Sequence, residues 1–317
     1  MSKKKRPPKK RGTGKPQKTP SEPLPDRRAM DKMMADLGRL LEEQEFDSID
    51  DINVYLQQLM ASGEAIPSAA PRTPLEKAQE LMYEAWEATG KRRVKLASEA
   101  LAISEDCADA YVLLAEEAGG TLEEARDLYA AGVKAGERAL GEEPFEEAVG
   151  HFWGILETRP YMRARAGLAG CLWQLGQRAE AIGHYEEMLR LNPGDNQGIR
   201  YTLLNCYLEE EKGPETKRLL AEYEDDSTAT WLYNQALFLY QQEKASKKAK
   251  AQLHKALKHN PHVPAYLLGR KRLPKRLPPY VGFGDENEAV YYAAEAGHLW
   301  VQQEGALDWL LRVSKES

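Results

Sequence analysis

HKALKHNPHVPAY, residues His254 to Tyr266, is the stretch whose reading decides the fold. A helix-forming run meets Asn260-Pro261 and stops, and a second helix-length pattern follows. EMLRLNPGDNQ, residues Glu187 to Gln197, carries the same punctuation. Proline has no N–H to continue a helix and restricts the residue before it, so each Asn-Pro ends a helix and turns the chain. Pro193 and Pro261 lie 68 residues apart, twice 34. The dipeptide thus closes units that recur at a fixed spacing.

The segments between these stops align. RAGLAGCLWQL (Arg165–Leu175) sits over RYTLLNCYLEE (Arg200–Glu210), with Arg, Leu and Cys coinciding. In LGQRAEAIGHYEEMLRLNP, Gly176 falls at an inter-helix turn, Ala181 at a close crossing, and Tyr185 at a position for a large side chain. Ala249, Leu253 and Ala256 repeat that order before Pro261. Small residues are needed where helices cross closely, and large apolar ones fill the space between units. The pattern resembles the tetratricopeptide repeat, a helix–turn–helix unit of about 34 residues. It predicts an all-α, right-handed helical solenoid.

Working outward, residues 74–268 read as these repeats, with residues 125–160 as an enlarged or inserted helix. Thr73-Pro74-Leu75-Glu76 and Thr121-Leu122-Glu123-Glu124 carry helix-starting signals: a capping hydroxyl and a Glu three residues on. Residues 269–284, including GRKRLPKRLPPY, form a basic Pro-rich loop, read either as a dock for an acidic partner or as a connector. Residues 285–317 read as helices that cap the stack.

Upstream, residues 29–61 read as a helical hairpin. Met30, Met33, Met34, Leu37, Leu40 and Leu41 mark one apolar face, expected to pack on a neighbour, with an adaptable binding surface as the alternative. A linker spans 62–73. Residues 1–28 form a basic tail expected to be disordered, with six of the eighteen prolines. Residues 2–28 hold eleven Lys and Arg against two acids, a balance of +9, so the net charge of −6 leaves −15 for the remainder. An acidic body does not attract a phosphate backbone, whereas the tail can.

NPHVPAYLLGRKRLPKRLPPYVGFGDENEAVYYAAEAGHLWVQQEGALDWLL and DAYVLLAEEAGGTLEEARDLYAAGVKAGE resemble the suppressor of tumorigenicity 7 family, over roughly residues 95–312. The resemblance implies a helical repeat fold and an adaptor-like role, with no established enzyme chemistry. Animal members are expected to carry membrane spans ahead of the repeats. No apolar run here approaches the ~18 residues that a span requires, so no membrane partner is expected. Cytoplasmic location is expected, because three cysteines in no CxxC pair fit a reducing compartment.

Catalytic and metal signatures are absent from the text. His254, His259 and His262 cluster, but a metal needs several convergent ligands. GFGDE lacks the lysine of a phosphate loop, and no HExxH or GxSxG occurs. No enzyme activity, cofactor or metal is expected. The expected function is a protein-interaction scaffold that holds a peptide or protein partner. The alternative class is a nucleic-acid- or ribosome-associated factor using the basic tail. Transferring the groove positions of tetratricopeptide stacks selects Arg163, Trp173, Tyr201, Asn205, Asn234 and Phe238 as the binding set. Ala166 and Gly170 stand where a chaperone-tail clamp wants Lys and Asn, so recognition of an acidic chaperone tail is not expected.

Overall fold

A computed structural model describes residues 27–61 and 70–316; the basic tail up to residue 26 and most of the linker lie outside them, and Arg27 and Arg28 open the first helix. The described residues contain helices and no strand. The order begins with α1 (Arg27–Glu42) and α2 (Ile49–Ala61). Five antiparallel pairs follow: α3 (Pro74–Glu87) with α4 (Lys91–Ile103), and α5 (Ala108–Glu117) with α6 (Leu122–Leu140). After a short α7 (Glu143–Glu147) come α8 (Arg159–Gln174) with α9 (Arg178–Leu191) and α10 (Ile199–Glu209) with α11 (Gly213–Glu222). Next is α12 (Ala229–Glu243) with α13 (Lys247–His259), and α14 (Val263–Leu267), α15 (Glu286–Gln302) and α16 (Ala306–Val313) complete the chain. This is an all-α helical repeat fold.

Local chemistry sets the helix boundaries. Thr73 accepts from the Glu76 N–H at 3.1 Å, and Thr121 from the Glu124 N–H at 3.1 Å. Only the second makes a reciprocal box, because Glu124 accepts back from the Thr121 N–H while Glu76 turns to the Arg72 N–H. The Asn-Pro stops are structural joints. Asn260 is fully buried; its amide donates to the Asp285 carbonyl and to Glu288, and its Oδ1 accepts from the His262 N–H. Asn192 is likewise buried.

The crossings use small residues as the spacing predicts. Ala181, Ala249 and Ala256 are fully buried. Where α6 crosses α8 the approach is closer still: a Cβ added at Gly136 would lie 2.8 Å from the Cβ of Tyr161. Residues 141–158 are not one long helix but α7 and two single 3-10 turns, Phe152–Gly154 and Leu156–Thr158.

Most of the buried apolar residues described fall into two clusters. The larger runs from Val112 to Val313 and the smaller, from α3, α4 and α5, runs from Ala78 to Leu113. The boundary passes through α5, whose adjacent Val112 and Leu113 serve different clusters. The basic loop between α14 and α15 is exposed, including Leu273, Leu277 and Phe283. Hydrogen bonds pin it: Tyr291 donates to the Pro278 carbonyl and Asn287 to that of Tyr280.

Candidate functional site

First helices of successive pairs share one face of the stack. Toward the N-terminus that face is built from α3, α5 and α8, and α1 lies on it. Its centre is a pair of arginines one turn apart on α8, Arg159 and Arg163. Neither has an acid three or four residues away, so neither charge is matched within the helix. The partners come from elsewhere. Arg163 holds Asp109, in the first turn of α5, through two parallel bonds of 2.7 Å. Gln79 of α3 donates to the same carboxylate at 3.0 Å. The Arg163 guanidinium also lies 5.4 Å from the Trp86 ring centroid, and that of Arg159 lies 5.5 Å from Trp153.

Asp31 of α1 enters this setting. It accepts from Arg163 at 2.8 Å and from Arg159, and only 3% of its surface is exposed. Burial works against the Arg163 charge, but the neighbouring Asp109 and Asp31 outweigh it and raise its pKa above the ordinary arginine value. Farther along α1, Arg39 bonds Asp36 at 2.7 Å and also Glu80, which Lys32 reaches at 2.8 Å. The buried residues of α1 are therefore charged: Asp31, Asp36 and Arg39. The expected apolar face meets the repeats only in part: Met30 and Met33 are each 48% exposed, whereas Met34 is half-buried and turned toward Arg159.

The six residues expected to line a groove are not gathered on one open surface. Arg163 is paired as described. Trp173 is half-buried beneath the Arg178 guanidinium, 3.8 Å from its ring centroid. Tyr201 is half-buried, donates to Asp226 at 2.8 Å and meets Trp231 edge-on. Asn205 and Asn234 do come together: Asn234 Nδ2 donates to Asn205 Oδ1 at 2.7 Å. Asn234 and Phe238 are buried, Asn234 completely. The cover is α15, which packs on α12 and reaches α10, both first helices. Sequence reasoning missed Asp31, Asp109 and Arg159. The signal was available in the unmatched arginine pair, which requires acids from distant segments.

Among the described residues no cluster of three or more His, Cys, Asp or Glu side chains is placed to hold a metal, and no helix is long and apolar enough to cross a membrane. His259 is tied to Glu288 at 2.9 Å. The cysteines are free and buried, with burial pushing the Cys107 and Cys206 thiols up to about 12. These are inert thiols rather than nucleophiles.

Comparison with known proteins finds relatives in sequence. The chain is 32% identical over 264 residues to the human suppressor of tumorigenicity 7 protein-like, covering 74% of this chain and 45% of that protein. It is 32% identical over 256 residues to the Drosophila melanogaster protein ST7 homolog, covering 73% and 47% respectively. The chain thus spans about half the length of the curated relatives it matches. Among solved structures, YrrB, described as a TPR protein with an unusual peptide-binding site, aligns with a TM-score of 0.39 and 20% identity, over 58% of this chain and 80% of its own. The family model described as ST7 protein matches residues 70–317, and the chain belongs to that family.

Proposed function

We propose that the protein is a non-enzymatic interaction scaffold whose first-helix face binds a peptide or protein partner. One observation carries this reading: the Arg159–Arg163 pair on that face already binds a carboxylate presented by a helix, Asp31 of α1. A seat with two guanidiniums, flanking indole rings and a fixed counter-acid is the chemistry of peptide recognition rather than of bond making. In this reading Arg163, Trp173 and Tyr201 contribute to the partner surface, and Asn205, Asn234 and Phe238 brace it from within.

Site-directed cross-linking tests the proposal. A photoreactive phenylalanine derivative replacing Trp173 or Tyr201 is expected to capture one discrete protein. The same group at Asp127, exposed on the second helix of its pair, is expected to capture none. Equal capture at all three positions, or capture at none, overturns the reading.

A further inference from the structure

The occupant of the arginine seat fits it incompletely. Between α1 and the repeats lies a cavity of about 330 Å3. Ala35 and Gly38 border it from α1, and Leu75, Tyr83, Leu140, Leu156 and Pro160 from the opposite side. A Cβ added at Gly38 would meet nothing within 4 Å. The space is half-open and its lining also carries Asp106 and Glu157, but apolar surface predominates, and apolar surface left without a neighbour forfeits the contacts that would cover it. The Nε of Arg39 is buried there with no hydrogen-bond partner among the described residues. So α1 satisfies the charge of the seat and leaves its apolar volume empty. The match to the ST7 protein family begins at residue 70, downstream of α1.

We propose that this seat is a docking site for a partner protein's amphipathic helix, one that carries an acidic residue and large apolar residues four and seven positions later. In the resting chain α1 holds the site in its place. The acid would take the position of Asp31 between Arg159 and Arg163. Without it the two guanidiniums face one carboxylate, Asp109, and one positive charge is unmatched, which selects an acidic ligand. The large residues would stand where Ala35 and Gly38 now leave space, on the same helix face as the acid. The proposal rests on the scaffold reading and names the partner class for its N-terminal end.

Fluorescence anisotropy with labelled peptides tests it against the full-length wild-type chain. The first peptide has the sequence of α1, the second adds Ala35→Leu and Gly38→Leu, and the third adds Asp31→Lys to the second. A fourth carries Gly38→Ala alone, which raises helix propensity without filling the cavity. The double-leucine peptide is expected to bind at least tenfold more tightly than the α1 sequence, since two more side chains are buried. The lysine peptide is expected to lose that gain, and the alanine peptide to recover only a small part of it.

Equal binding of the first two peptides, or full gain with alanine, overturns the cavity argument and with it the proposal. Undiminished binding of the lysine peptide shows apolar adhesion and also overturns it. Binding by none of the peptides shows that α1 is a fixed part of the fold. Should the Trp173 and Tyr201 cross-links still form in that case, this docking site is wrong and the scaffold reading stands. If they too are lost, both fall.

Discussion

Tyr292 donates its hydroxyl hydrogen to Asn234 Oδ1 at 3.0 Å, across 58 residues of chain. Trp300 donates to Tyr292 at 2.6 Å, and Asn234 in turn donates to Asn205. Four side chains thus join α15, α12 and α10 in one relay, with Trp300, Tyr292 and Asn234 buried and Asn205 half-buried at its end. A buried polar group is tolerated only when its partners are present.

Asn234→Ala breaks the relay at its centre and strands the Tyr292 hydroxyl. A loss of about 2–4 kcal/mol is expected, combining two unmade hydrogen bonds with a buried Tyr292 hydroxyl hydrogen left without its acceptor. Urea unfolding should show a lower midpoint. A variant with wild-type stability would mean that the relay does not hold α15 in place.

Glu288, 6% exposed, is a second joint. It accepts from the Ala229 N–H at 2.9 Å, the Gly284 N–H at 2.8 Å, His259 and Asn260. Glu288→Ala leaves several buried donors without an acceptor, and about 3–5 kcal/mol of stability should be lost. Hydrogen exchange should rise first in α15 and in the loop before it.

Gly136→Ala sets two effects against each other. Alanine in a helix interior normally gains about 1 kcal/mol over glycine. Here the added methyl would meet Tyr161 at 2.8 Å, and overpacking of that kind costs about 1–3 kcal/mol. The clash should win, so the variant should melt below the wild type.

Asp226 gives a pH signature. Burial opposes its charge, but hydrogen bonds from Thr228, Tyr201 and Arg200 outweigh this and hold its pKa below the ordinary carboxylate value. A depressed folded pKa stabilises above the unfolded value, near 3.9, and that stabilisation is lost as pH falls through the folded value. Asp226→Asn should therefore cost about 2 kcal/mol at pH 7. The gap between variant and wild type should narrow below about pH 4, measured by denaturation at each pH.

Much of this was legible in the sequence because it is local. The Asn-Pro stops, the alanines at crossings and the capping threonines act within a turn or two of themselves, and each stands where its chemistry requires. The seat was not legible, because Asp31 meets Arg163 across 132 residues. Hydrophobic periodicity is also an incomplete guide for α1. Its leucines and methionines mark a face, yet the direct bonds that dock the helix are polar, from Asp31 to Arg159 and Arg163 and from Arg39 to Glu80. Asn234 failed as a groove residue for a related reason. Position within the repeat aims it at the open face, but α15, from outside the repeat pattern, closes over it.

The division of apolar residues at α5 has a thermodynamic corollary. A rod of stacked units with a break in its interior is two cooperative blocks joined by a shared helix, and the smaller block has fewer side chains to lose. Calorimetry should resolve two overlapping endotherms, with α3 and α4 departing in the cooler one while the carboxyl-terminal block persists. Val112 and Leu113, neighbours in the chain, would then report different melting temperatures.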